Sequence, residues 1–263
     1  MLPTLLGLDH LVVAVRDLDA AAAKWRALGF TVSPRGLHSP HIGSANHTMM
    51  FGEDYLELLG VVAVQPHNEA LRAFLAAREG LERAAFTTTD AAMGAEALRA
   101  RGLATTGPVD FGRPVPLPDG GTAEARFSVF HFPREEAPGG MRVFACQHHT
   151  RDSVWVPSLQ THANGTTRIL SALVATEDPA GAAAHLARLI EGTARPDGAF
   201  HRVATGPGRA DIAYAPRAAI AALAGCAEDA LPREGGAGMV LATTKPRPPA
   251  IATGTAIIWE EVA

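Results

Sequence analysis

"GLDHLVVAVRDLDAAAAKWRALGF", residues 7–30, decides the fold. Its first half is a run of apolar, partly β-branched residues broken by Asp9 and His10. After Asp17, the residues Leu18, Ala21, Trp25 and Leu28 recur at helical spacing. Asp17 is placed to accept from the orphan amides of a first helical turn, and Gly29 to end the helix in a left-handed conformation. The stretch therefore reads as a strand running into a helix. It returns without a gap as "GLERAAFTTTDAAMGAEALRARGL", residues 80–103. Gly7, Leu8, Asp17, Ala22, Arg26, Ala27 and Gly29 fall on Gly80, Leu81, Asp90, Ala95, Arg99, Ala100 and Gly102. The matches include both cap and both stop positions, which points to an internal duplication.

Each copy continues in the same way. After the first come a short strand "FTVS" (30–33), a Gly/His/Pro loop, and the strands "ANHTMMF" (45–51) and "DYLELLGV" (54–61). The second has a long Pro-rich loop, "DFGRPVPLPDGGTAE" (110–124), then "ARFSVFHF" (125–132) and "MRVFACQHH" (141–149). "HNEALRAFLAAREG" (67–80) reads as a connecting helix. The unit is βαβββ, twice, over about residues 7–62 and 80–149. Residues 158–263 read as a third unit, with Asp178 as N-cap and Pro179 as first helical residue, and a shortened fourth that has lost its helix. The expected fold is α+β: tandem βαβββ modules forming curved, cup-shaped mixed sheets with flanking helices, divided into domains 1–157 and 158–263.

Composition narrows the function classes. The chain has 263 residues, 47% hydrophobic and 19% charged, with a net charge of −4. Neither a nucleic acid nor an anionic membrane finds a basic patch here. Cys146 and Cys226 are too few for a disulfide framework and read as reduced thiols. The N-terminus lacks a basic signal-peptide region, and no apolar run approaches ~20 residues. A cytoplasmic protein acting on a small molecule, as a monomer or homodimer, is the expectation.

Strand alternation raises the central question. Leu11, Val13 and Val15 face the helix, so His10 faces the other way, into the cup; Glu57 does the same from "DYLELLG". Burying either alone costs several kcal/mol or shifts its pKa. A divalent ion satisfies both, and so does a His–Glu hydrogen bond in the core. Asp9 is expected on the opposite face or at the strand edge. No Ser-His-Asp arrangement and no phosphate loop can be argued from spacing.

The stretches "LDHLVVAVRDLDAAAAKWRALGF", "GSANHTMMFGEDYLELLG", "RPVPLPDGGTAEARFSVF" and "VFACQHH…W…HANG", over roughly residues 7–165, resemble the vicinal oxygen chelate superfamily and its glyoxalase-like domain proteins. That resemblance implies paired modules wrapping a cup with a divalent metal at its base. Its known members include glyoxalases, epimerases, extradiol dioxygenases and metal-free drug binders of the bleomycin-resistance type. It implies His10 and Glu57 as metal ligands, with Gln147 or His148 as a third, and Glu57 as a ligand that doubles as catalytic base. The metal would be Zn, Fe, Ni or Mn. Arg83 stands where many members have a second histidine; it cannot ligate a metal but can grip a carboxylate or phosphate. Asn46 or His47, and Arg113 on the Pro-rich loop, are further substrate-binding candidates. The leading expectation is a metal-dependent lyase or isomerase, ahead of a dioxygenase, acting on vicinal oxygens; the alternative is a metal-free binding protein.

Overall fold

Aspartates cap the helices at the positions the sequence marks. In a computed structural model describing residues 2–117 and 119–262, Asp17 accepts from the Ala20 amide at 2.9 Å and opens α1 (Leu18–Ala27). Asp90 does the same for α3 (Ala91–Ala100) and Asp178 for α4 (Pro179–Ile190). Such caps contribute about 1 kcal/mol each. Gly29 and Gly102 follow the first two helices at φ 84° and 80°, a conformation that excludes most side chains. α1 buries Leu18, Ala21 and Trp25 of the stripe read from its spacing, together with Ala22, while Leu28, the C-cap, is only partly buried.

The first unit comprises β1 (Leu5–Ala14), α1, β2 (Gly36–Leu37), β3 (Ser44–Met50) and β4 (Tyr55–Val61). α2 (Glu69–Ala77) connects it to β5 (Gly80–Thr88), α3, β6 (Thr106–Pro116), β7 (Thr122–His131) and β8 (Arg142–His148). These strands form one sheet in the order β2-β3-β4-β1-β5-β8-β7-β6. β1 pairs with β5 antiparallel at the centre, and each pairs in parallel with the last strand of its own unit. Two local expectations are corrected. The short strand lies at residues 36–37 instead of 30–33, and the Pro-rich "loop" is largely a β-hairpin. Pro114 and Pro116 are tolerated in β6 because it is the sheet's edge, where amides need no partner.

The second half repeats the plan. β9 (Thr166–Ala175), α4, β10 (Ala194–Asp197), β11 (Phe200–Val203) and β12 (Asp211–Ala215) lead through α5 (Arg217–Ala224) to β13 (Gly235–Thr243), β14 (Ala250–Ala252) and β15 (Thr255–Glu261). Their sheet has the order β10-β11-β12-β9-β13-β15-β14. Between β13 and β15 there is no helix among the described residues, as the shortened fourth unit requires.

The helix-side faces of both sheets share one core, with Leu8, Leu11, Trp25 and Phe86 packed together with Ile169, Leu186, Met239 and Trp259. His162 ties the halves by accepting from the Thr31 amide through Nδ1 at 2.9 Å and donating from Nε2 to the Met50 carbonyl at 2.9 Å. The concave faces turn away from this core. That of the first sheet is partly filled from both ends. Leu71 and Leu75 of α2 cover Val12, Ala14 and Leu59, while Val154, Trp155 and Leu159 cover Tyr55, Phe127, Val129 and Cys146. The sheet curls until its edges meet: a Cβ on Gly36 of β2 would lie 2.4 Å from an Arg113 guanidinium nitrogen on β6.

Candidate functional site

Each of the two central strands carries a bulge beside the cup. Asp9 is inserted between the pairs Leu8↔Phe86 and His10↔Ala85, and Glu82 between Val12↔Arg83 and Val13↔Leu81. A β-bulge breaks alternation and re-aims a side chain. Asp9 therefore joins His10 on the cup side, contrary to the expectation that put it on the opposite face or edge. It is fully buried, and its Oδ2 accepts from His10 Nδ1 at 2.6 Å and from His148 Nε2 at 3.0 Å. Thr87 donates to Oδ1 at 2.8 Å. Burial alone would raise this carboxyl's pKa; the two imidazoles outweigh burial and hold it well below the usual carboxylate range. The sequence carries one signal for Asp9 that the identity matches pass over: the aligned residue of the second copy, Glu82, is also an acid.

His10 stacks on Tyr55 with ring centroids 4.3 Å apart, and Phe144 meets it edge-on at 5.4 Å. With Nδ1 turned to Asp9, the ring aims Nε2 at Glu57 Oε2, 3.7 Å away. Glu57 Oε1 accepts from Asn46 Nδ2 at 2.6 Å and lies 3.9 Å from His38 Nε2. His38, from the Gly/His/Pro loop, is thus brought into the site. Burial lowers its pKa, Glu57 opposes this, and Arg113 and Arg83 reinforce it. Arg113 lies on strand β6 and is buried against Gly36 near Asn46.

Other candidates are turned elsewhere. Gln147 points away from the cup. Its amide donates to the Thr89 carbonyl at 2.8 Å and its oxygen accepts from the Ala91 amide at 3.0 Å, closing the start of α3. Strand register explains why. Val12↔Glu57 in the first unit is matched by Ala85↔Phe144 in the second, so the counterpart of Glu57 is Phe144 and not Gln147. His148, further along the strand and on the same face as Phe144, reaches the cup but is engaged by Asp9. His47 alternates away from Asn46, donates to the Ser33 carbonyl at 2.7 Å, and comes within 4.0 Å of Asp19 on α1. A serine, histidine and aspartate do meet outside the cup. Ser128 Oγ contacts His149 Nε2 at 2.6 Å and also Asp110. The hydroxyl stands in the middle, so the acid does not orient the imidazole as a nucleophilic triad requires.

Two groups of donors bear on a metal ion. The donor atoms of Asp9, Cys146 and His148 lie within 4.8 Å of one another. Asp9 is already filled by three hydrogen bonds, however, and burial, Asp9 and Glu57 push the Cys146 thiol up, away from thiolate. His10 Nε2 and Glu57 Oε2 are the freer pair. Their 3.7 Å separation is too long for a hydrogen bond and within what two atoms about 2.1 Å from one ion can span. Asp9 behind His10 is the carboxylate that commonly fixes the tautomer of a ligating histidine. This pair fits a divalent ion from one side; Arg83 and Phe144, in the mirrored positions, supply no donor. In the second sheet the corresponding four residues, by register, are Ser171, Ala213, Gly238 and Ile258.

Comparisons with known proteins agree with the architecture. The solved structure of a hypothetical protein from Staphylococcus aureus is 10% identical, with a TM-score of 0.75, over 97% of this chain and 99% of that one. This chain therefore shares its fold across both sheets. A methylmalonyl-CoA epimerase from Streptomyces coelicolor, solved with 2-nitronate-propionyl-CoA, is 22% identical at a TM-score of 0.43, over 56% of this chain and 99% of its own. The Mycobacterium tuberculosis epimerase is 18% identical at 0.43, over 56% and 91%. No curated protein matches the sequence. Among the described residues no helix is long and apolar enough to cross a membrane. The sequence model of the glyoxalase-like domain matches residues 8–190, through the first sheet and into the helix of the third unit, and the chain belongs to that family.

Proposed function

We propose that this chain is an enzyme that moves a proton on a small oxygen-rich substrate bound in the first cup, in an isomerase or lyase reaction. The observation that carries this reading is the chain of contacts Asp9–His10–Glu57. A buried carboxylate fixes the imidazole tautomer and leaves a basic nitrogen 3.7 Å from a second carboxylate. His10 Nε2 takes the proton from carbon. Asp9 stabilises the imidazolium that results, the role of the acid behind a catalytic histidine. Glu57 Oε2, opposite, receives or returns that proton. Asn46 pins Glu57 by its other oxygen, and Arg113 is placed to hold a substrate oxygen. Water is limited by the low exposure of His10 (3%) and Glu57 (8%). A divalent ion held by His10 and Glu57 would occupy the Nε2 lone pair; it would then supply Lewis-acid polarisation of vicinal oxygens, and Glu57, released from it, would take the proton in place of His10.

The test is deuterium uptake from D2O by a panel of small 2-oxo and 2-hydroxy compounds, alongside metal analysis of the purified protein. The wild type washes deuterium into the carbon beside the carbonyl of at least one compound, and His10→Ala and Glu57→Gln lower that rate by about 100-fold or more. A stoichiometric ion lost in both variants adds the metal. Exchange that survives both substitutions overturns the proposal. A second reading, a metal-free binding protein, is favoured by one observation: Arg83 and Phe144 occupy the mirrored positions. Ligand-induced thermal stabilisation with no exchange on any compound would select it.

A further inference from the structure

The mirror image of the Asp9 cluster is built of guanidinium groups. Glu82, 4% exposed, is the bulged acid of the second unit. One oxygen accepts from Arg83 Nε, and the other from Nε and a terminal nitrogen of Arg142. Among the described residues no other acid is hydrogen-bonded to either arginine, so the cluster keeps a net positive charge and several unspent N–H donors. Arg83 and Arg142 are register partners on adjacent parallel strands, and both face the cup. His131, on β7, stacks on Phe144 at 5.5 Å, and Phe144 in turn meets His10 at 5.4 Å. A single aromatic ring therefore separates the positive cluster from the acid–base pair. Exposure rises along this line, from 4% for the His10 side chain to 19% for Arg83 and 28% for Arg142.

We propose that Arg83, Arg142 and His131 form an anion subsite that takes a carboxylate or phosphate group of the substrate and presents a carbon further along the molecule to His10. The inference deepens the proton-transfer reading and names its substrate class: a small anion whose charged group lies one ring's width from the reacting carbon. Glu82 orients both guanidinium planes before the ligand arrives, which lowers the ordering cost of binding. Two such forks match the oxygens of a carboxylate or phosphate. His131 adds a neutral imidazole. Burial, then Arg83 and Arg142, then His67 and Arg134, bring its pKa down to about 4, so it can donate or accept a hydrogen bond without adding charge of its own.

The full-length protein is titrated with inorganic phosphate and, separately, with succinate, following thermal stability and heat of binding. The wild type binds at least one of them, and which one binds names the group. Arg142→Gln and Arg83→Gln each weaken that binding about tenfold or more, the loss of charge-assisted hydrogen bonds. His10→Ala leaves anion binding intact while abolishing deuterium exchange, so a failed subsite and a failed acid–base assignment give different results. Should either arginine variant not fold, the wild type alone still decides: the His131 ring resonances move on titration, while those of His201 on the second sheet do not. Wild type that binds neither anion, arginine variants that bind as wild type does, or His131 resonances that stay still would overturn the proposal.

Discussion

Asp9 and Glu82 occupy the same bulge in two copies of one unit, and each clamps two basic side chains drawn from two strands. Around Asp9 those bases are His10 and, reaching over from β8 of the second unit, His148, which can give up a proton. Around Glu82 they are Arg83 and Arg142, which cannot. Duplication supplied two equivalent positions around the sheet's centre, and divergence made one suited to proton transfer and the other to fixed charge. The second sheet has kept neither. Leu170 and Ala237 stand at its bulges, Ser171, Ala213, Gly238 and Ile258 stand where the first sheet has His10, Glu57, Arg83 and Phe144, and Ile220 and Ala221 of α5 cover Leu173, Ala213 and Val240 in an apolar plug. The backbone plan therefore persists without the chemistry, because strand pairing needs only the alternation of apolar residues, whereas a site needs particular groups at particular registers.

The two halves differ most in burial around the bulges, where the imidazoles are enclosed and the guanidinium groups are partly exposed. Asp9→Ala leaves two buried imidazoles without their acceptor and should cost about 3–4 kcal/mol, read as a lower urea midpoint. Glu82→Ala should cost only about 1–2 kcal/mol, because the partly exposed guanidinium groups can hydrate. Equal losses would show that the halves are not differently buried.

A smaller effect concerns Asp54, beside the first cup, whose counterparts by register are Met141 and Ala210. Asp54 is 3% exposed and accepts from the Ile169 amide at 3.1 Å, across the interface between sheets. Burial pushes its carboxyl up to about 7, against the Ile169 hydrogen bond and Arg209. A raised carboxyl favours the folded state at low pH. That contribution is complete below about pH 4 and is lost as pH rises through 7. Wild type should lose about 2 kcal/mol relative to Asp54→Asn between pH 5 and pH 8. Parallel melting-temperature curves for the two proteins would contradict this.

The sheets themselves can be compared at one position. His10→Ala removes the Tyr55 stack and one donor to Asp9, and should cost about 2 kcal/mol. Ser171→Ala, its equivalent, should cost about 0.5 kcal/mol, measured by the same urea titration. The smallest change sharpens the site alone. Gly36→Ala places a methyl against Arg113 and Asn46, far ends of side chains that can move. Stability should fall by less than about 1 kcal/mol, while the substrate or anion affinity of the cup drops.

Residue pattern alone determined the units. Capping aspartates, stop glycines and a helical stripe are local signals, set by hydrogen bonds within a turn, and they appear in the sequence at fixed offsets. The same patterning placed His10, Asn46 and Glu57 in one cup, since alternation along a strand is also local. Only the tertiary structure decided which acid stands behind His10, that His148 and not Gln147 enters the cup, and that His38 reaches Glu57. Those outcomes depend on a one-residue bulge and on the register between strands that lie far apart in the chain. A bulge reverses which face a side chain takes, and register is set by the packing of the whole sheet, so neither is written in any short stretch of the chain.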